Sequence, residues 1–162
     1  MAVAGGLCLL GSLARGQGAN HSASKFYPDS SDPAETLLRN AASHARDGQW
    51  AEAIGIFQRI IDQYGDKVAK LPREADGGKE AAGTGDEFVL FVDLRAYCHR
   101  SLAKLPAEAR AIYRGRVDGQ AERWLREGRN RRDTALLRRV VDLAFCSSWG
   151  DDASELLGDL AF

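Results

Sequence analysis

The sequence lacks the residue spacings that mark most metal and nucleophile sites. It has three histidines and three cysteines in 162 residues, and none falls into Cys-x-x-Cys, His-x-x-x-His or His-Glu-x-x-His order. His21 lies in a polar stretch. His44 lies on the first expected helix, and His99 directly follows Cys98. Adjacent helical residues point about 100° apart, so Cys98 and His99 do not readily face one ion. Gly83-Thr84-Gly85 has no following lysine and no strand–turn–helix frame, so it reads as linker and not as a phosphate loop. No pair of carboxylates suggests acid–base work; Asp151-Asp152 reads as the cap of the final helix. Cys146, followed by Ser147-Ser148, is the one thiol near basic residues, and a packing cysteine at a helix end is the preferred reading. The expectation is a chain with no catalysis, no metal, no cofactor and no small-molecule substrate.

Long apolar runs are also missing. A membrane helix needs about 20 apolar residues, and the longest apolar stretch here, Ala2 to Ala14, falls short. It has the length of a secretory core region, with small residues at Ser12-Leu13-Ala14 and Gln17-Gly18-Ala19 for cleavage. Positive charge is absent ahead of Arg15. Residues 1–19 therefore read as a leader, either a weak signal or one whose true start lies upstream; a disordered or core-filling N-terminus is the alternative. Gly5-Gly6-Leu7 before Cys8 does not resemble a lipoprotein cleavage box. The expected location is exported, periplasmic or envelope-associated, with the cytoplasm as the alternative and no transmembrane span in the mature chain. Removal of the leader leaves Cys98 and Cys146. An oxidising compartment would permit a bridge between them, but Cys98 sits on an apolar stripe, which favours a buried free thiol.

There is little net charge: −1 overall, so nothing global argues for nucleic acid. Its placement is uneven. Ten arginines stand between Arg110 and Arg139 against Asp118, Glu122, Glu127 and Asp133. From Val140 onward only acids occur. Solvated faces and neighbour pairing are the preferred reading. The alternative is an anion surface made by Arg114, Arg116, Arg123, Arg126, Arg129, Arg131 and Arg132 on nucleic acid or another polyanion.

What is present is helical periodicity. Hydrophobic residues make up 44% of the chain, enough for a core. Residues 20–31 read as a disordered tether, and a helix starts at Asp32-Pro33-Ala34-Glu35, with Asp32 as cap. Leu37, Leu38, Ala41, Ala42 and Ala45 follow at helical spacing to about Arg46. Asp47-Gly48-Gln49 is a turn. Trp50, Ala53, Ile54, Phe57, Ile60, Ile61 and Tyr64 then form one sustained stripe, ended by Gly65-Asp66. The small, charged stretch 72–86 reads as a flexible insertion. Phe88 to Val92 reads as an extended lead-in or a first turn. Further helices are expected from Asp93 to Leu105, from Pro106 with a turn or kink at Asp118-Gly119, from Asp133 through Phe145, and from Ala153 to Phe162, with an Arg-rich turn at Arg129 to Arg132. No strand pattern stands out elsewhere. The fold class expected is all-α, an array of antiparallel helical hairpins over 32–162.

The first hairpin resembles the tetratricopeptide repeat. Leu37, Ala41, Gly48, Trp50, Ala53, Phe57 and Ile60 stand at that family's spacing for packing residues, turn glycine, aromatics and the closing position. Asn40 and His44 replace its usual apolar or aromatic choices. Leu157-Gly158 and Ala161 look like the first helix of another repeat, and Leu136 to Phe145 like a degenerate second helix. Tyr97 to Ala109, Tyr113 to Asp118, Leu137 to Asp142 and Cys146 to Asp152 together resemble the helical N-terminal region of planctomycete exported proteins. In those, a tetratricopeptide-like segment precedes a β-propeller of the pyrroloquinoline-quinone-repeat type, akin to the outer-membrane assembly lipoprotein. The resemblance implies a solenoid-type protein–protein interaction scaffold, part of a longer chain, whose partner is a protein, a peptide or that propeller. It places partner contacts on exposed first-helix residues, here Asn40 and His44. The last helix is apolar to its final residue, which also suggests a fragment, since a solenoid ends on a polar cap.

Overall fold

A computed structural model of the chain describes residues 31–70 and 91–161. The expected leader, residues 20–30 of the tether, the insertion at 72–86 and Phe162 lie outside the described residues. The order is α1 (Asp32–Arg46), α2 (Trp50–Tyr64), β1 (Val68–Lys70), β2 (Phe91–Asp93), α3 (Leu94–Ala103), α4 (Ala107–Arg131), α5 (Thr134–Ala144) and α6 (Gly150–Asp159). Among the described residues the protein is thus mainly helical, with one two-stranded antiparallel ribbon. No helix among the described residues is long and apolar enough to cross a membrane.

α2 is the hub. Its stripe buries Ala53, Ile54, Phe57, Ile60 and Ile61, each large side chain contributing roughly 1.5–3 kcal/mol when fully withdrawn from water. Trp50 and Tyr64 close the stripe half-buried. α1 packs on it through Ala34, Leu38 and Ala41, the two alanines letting the axes approach. The turn between them uses Gly48 at φ +73°. Gln49 N–H donates to His44 O at 2.9 Å and Gly48 N–H to Ala45 O at 3.3 Å, the paired bonds of a Schellman ending in which glycine takes the left-handed position without a Cβ penalty. The cap of α1 is Ser31, whose Oγ accepts from Ala34 N–H at 3.4 Å. Asp32, expected as the cap, is instead in the first turn beside Glu35, where the helix dipole favours acids.

Val68–Lys70 pairs with Phe91–Asp93 in the register Val68↔Asp93, Ala69↔Val92, Lys70↔Phe91. The expected lead-in is therefore a strand at Phe91 and Val92. Its partner β1 was not expected, because three residues are too few to show alternation. Lys70 N–H donates to Glu35 Oε1 at 2.9 Å, tying the ribbon to α1. Asp93 ends β2 and caps α3, accepting from Ala96 N–H at 2.7 Å.

α4 corrects two expectations. It runs unbroken through Asp118-Gly119 and continues to Arg131, so there is neither a turn at Asp118-Gly119 nor a loose Arg-rich turn. The Asp118 carboxylate, which would otherwise compete with the local backbone, accepts from Ser148 N–H at 3.0 Å and Ser148 Oγ at 2.8 Å. That pins the middle of α4 to the α5–α6 loop. The helix closes with Arg132 at φ 51°, and Asp133 N–H donates to Gly128 O at 2.9 Å. Asp133 caps α5 as expected, its Oδ1 accepting from Ala135 and Leu136 N–H at 2.9 and 3.3 Å.

α6 starts three residues earlier than expected, and Asp151 and Asp152 lie in its first turn and do not cap it. Gly150 sets that start. A Cβ there would fall 1.9 Å from the Phe145 carbonyl oxygen, so only glycine allows this close approach. α6 packs on α5 and α4 around a second cluster of Ala121, Leu125, Leu137, Val140, Ala144 and Ala153. Leu157 joins its edge, while Gly158 is exposed. Val117 touches both this cluster and the first, which surrounds α2. α2 packs against α1, α3, α4 and α5; α3 and α4 are joined by a tight turn but do not run closely side by side.

Candidate functional site

α3 and the C-terminal turn of α5 enclose an open, mostly apolar groove of about 500 Å³. Helical spacing brings Ala96, His99, Arg100 and Ala103 to one face of α3, and Val141, Asp142 and Phe145 to the facing end of α5. Phe145 is 40% exposed, an apolar ring left at the groove edge.

Arg95 spans three elements. Its Nη1 lies 3.0 Å from Asp142 Oδ1. Its guanidinium also rests on Gly65 at the end of α2, where an added Cβ would stand 2.9 Å from Nε. The negative end of α2 favours a cation there. The Arg95–Asp142 pair is half-exposed and contributes about 0–1 kcal/mol, so its main effect is to set the distance between α3 and α5. Arg95 Nε is buried with no partner among the described residues.

His99 is only 8% exposed. Its Nε2 stands 3.0 Å from the Asp142 carbonyl oxygen. A carbonyl only accepts, so Nε2 carries the hydrogen and Nδ1 holds a free lone pair. Nδ1 is buried and has no partner among the described residues. Burial lowers the His99 pKa, and Arg95 lowers it further, against the Asp142 carbonyl bond and the carboxylates of Asp142 and Asp93. The neutral imidazole is the stable form. The Phe145 ring lies 5.9 Å away, tilted by 59°.

The Cys98–Cys146 bridge considered from the sequence is not formed; both are free thiols. Cys98 is fully buried in the first cluster, while the Cys146 S–H donates to His99 O at 3.2 Å. Burial, with a smaller effect of Asp93, pushes Cys98 up to about 12. Burial also raises Cys146, with Arg114 opposing and Asp151 assisting. A thiol that donates to a carbonyl is held in its protonated form, the opposite of an activated nucleophile.

The residues expected from the repeat pattern fall elsewhere. Ala41, Ala53, Phe57 and Ile60 are buried, and Leu37 and Trp50 pack half-buried on the same cluster. Asn40 is exposed on α1, and His44 Nδ1 hydrogen-bonds Gln49 Oε1 across the first turn. Neither lines the groove. The arginine block is exposed throughout, but four of its members have partners. Arg116 Nη1 donates to Ala51 O at 3.1 Å, Arg123 bonds Gln120, and Arg126 and Arg131 pair with Glu122 and Glu127 at 3.8 and 2.8 Å. A smaller hollow of about 140 Å³ lies between α2, α4 and α5 beside Asp62, Gln120 and Trp124.

The groove was missed because its two walls are some 40 residues apart in sequence. The one local signal was an imidazole beside Cys98 and near Leu102 on a buried stripe. Comparison with known protein families, with curated proteins and with solved structures finds no match.

Proposed function

We propose that the chain is a non-catalytic protein–protein interaction scaffold of tetratricopeptide-like hairpins, with the α3–α5 groove as its docking site. The observation that supports it is that groove: an apolar, open channel between α3 and α5. The setting suggested by the sequence resemblance is an exported protein in which this region precedes a β-propeller. The test is selection from a random peptide library on the purified chain, repeated on Ala96→Arg, which fills the groove from an exposed position on α3. Enriched peptides that lose binding to Ala96→Arg support the reading. A selection that yields no peptides, or peptides indifferent to the change, ends it.

A second reading, an arginine surface for a polyanion, has one observation in its favour. No lysine follows Lys104, and Arg132 holds a left-handed backbone that glycine or asparagine adopts at less cost. Retention on heparin that falls steeply with salt would favour it. The groove reading stands first because four of the seven arginines already have partners within the chain.

A further inference from the structure

We propose that the α3–α5 groove selects a tryptophan side chain of the docked segment, its indole N–H donated to His99 Nδ1. The proposal rests on the groove being the docking site and adds the chemistry of what enters it.

The argument begins with the tautomer. The bond from Nε2 to the Asp142 carbonyl, 3.0 Å long, leaves Nδ1 as an acceptor with no donor among the described residues. A buried polar atom without a partner is uncommon in native folds and marks a place where a partner arrives. A neutral donor suits the groove best: the acids Asp93 and Asp142 offset the cations Arg95 and Arg100 at its border, so a charged donor would lose its hydration with no net opposite charge to receive it. It must also ride on an apolar body, since Ala96, Val141 and Phe145 form the walls. Indole meets both conditions and is a donor only, so it brings no acceptor needing its own partner. A phenol could also donate to Nδ1, with its oxygen accepting from the buried Arg95 Nε, so the choice between the two aromatics falls to the cation at the rim. Arg100, exposed at the rim, adds a cation to lie over the indole face, the aromatic surface it prefers.

Nδ1 is covered in the free protein. The residue positioned to uncover it is Phe145, which follows the last turn of α5, is 40% exposed and lies against the imidazole. Its ring can turn aside without opening either core, and the entering indole then takes its place beside His99.

The experiment is an NMR titration of the full chain with N-acetyl-tryptophanamide, N-acetyl-1-methyltryptophanamide, N-acetyl-tyrosinamide and N-acetyl-phenylalaninamide. Backbone amides of α3 and α5 and the His99 ring nitrogens are followed. The expected result is binding of the tryptophan amide about tenfold tighter than its 1-methyl analogue, the effect of one hydrogen bond to a buried acceptor. It is accompanied by a shift of the His99 Nδ1 resonance. Equal affinity for the 1-methyl analogue, tighter binding of the tyrosine amide, or no shift in α3 and α5 with any probe overturns the proposal. The two readings fail separately. Library peptides that lose binding to Ala96→Arg but carry no conserved tryptophan leave the groove as the docking site and remove the indole.

Discussion

Alanine at Gly128 should weaken the fold, while alanine at Gly115 or Gly119 of the same helix should strengthen it. All three glycines lie within α4 (Ala107–Arg131). Exchanging a helix-interior glycine for alanine gains roughly 0.8–1 kcal/mol, because less backbone entropy is lost on folding. At Gly115 and Gly119 an added Cβ meets nothing within 4 Å, so each keeps that gain. At Gly128 the Cβ would stand 2.8 Å from Leu137 Cδ2, 3.0 Å from Leu137 Cγ and 3.3 Å from the Asp133 carbonyl oxygen. Leu137 is fully buried and has no room to retreat, and overpacking of this kind costs about 1–3 kcal/mol. The net effect at Gly128 is a loss of about 1 kcal/mol. The two classes of variant should therefore differ by about 2 kcal/mol, which at this size corresponds to about 4–8 °C in Tm. Urea unfolding followed by circular dichroism measures the midpoints. A Gly128→Ala protein as stable as Gly119→Ala would refute the packing of α4 on α5 described above.

Two further outcomes follow from the buried titratable groups. The His99 pKa is lowered on folding, so stability is full above about 6.5, the unfolded value. It falls as pH drops below that, because the unfolded chain takes up a proton that folded His99 refuses, and the slope is at most about 1.4 kcal/mol per pH unit. His99→Gln keeps an N–H for the Asp142 carbonyl but cannot titrate, so its urea midpoint should change less between pH 7.5 and 5.5; an unchanged slope removes His99 as the cause. For the thiols, Cys98 at about 12 and the raised Cys146 should label with a disulfide reagent at pH 8 more than about tenfold slower in the folded Cys8→Ser protein than in urea. Rapid labelling of folded Cys146 would restore it as a candidate nucleophile.

The helices were legible because their signal is carried by one element at a time. Trp50 to Tyr64 repeats its apolar side every turn whatever covers it, and Gly48 and Asp133 mark ends through their own backbone and side-chain chemistry. The misjudged positions were decided by distant partners. Asp118-Gly119 reads locally as a break, but Ser148 takes up the Asp118 carboxylate and the helix continues. Asp151-Asp152 reads as a cap, but the close approach of Gly150 to Phe145 starts α6 earlier. β1 exists only because residues some twenty positions later lie beside it.

The groove belongs to this second kind, for a more general reason. Periodicity gives equal weight to an apolar residue facing a neighbouring helix and one facing an open channel. Phe145 and Val140 both extend the α5 stripe, yet Val140 is fully buried and Phe145 is 40% exposed. Val140 is covered by α4 and α6 in the second cluster, whereas Phe145 borders the gap between α3 and α5, where Arg95 reaches Gly65 on one side and Asp142 on the other. A change that shortens this reach, such as Arg95→Ala, should therefore act on the groove before it acts on either core. Binding of groove-selected peptides should fall while the unfolding midpoint moves by no more than about 1 kcal/mol, the upper worth of a half-exposed ion pair. A large loss of stability with peptide binding intact would mean that Arg95 supports the core and that the groove width is set by something else.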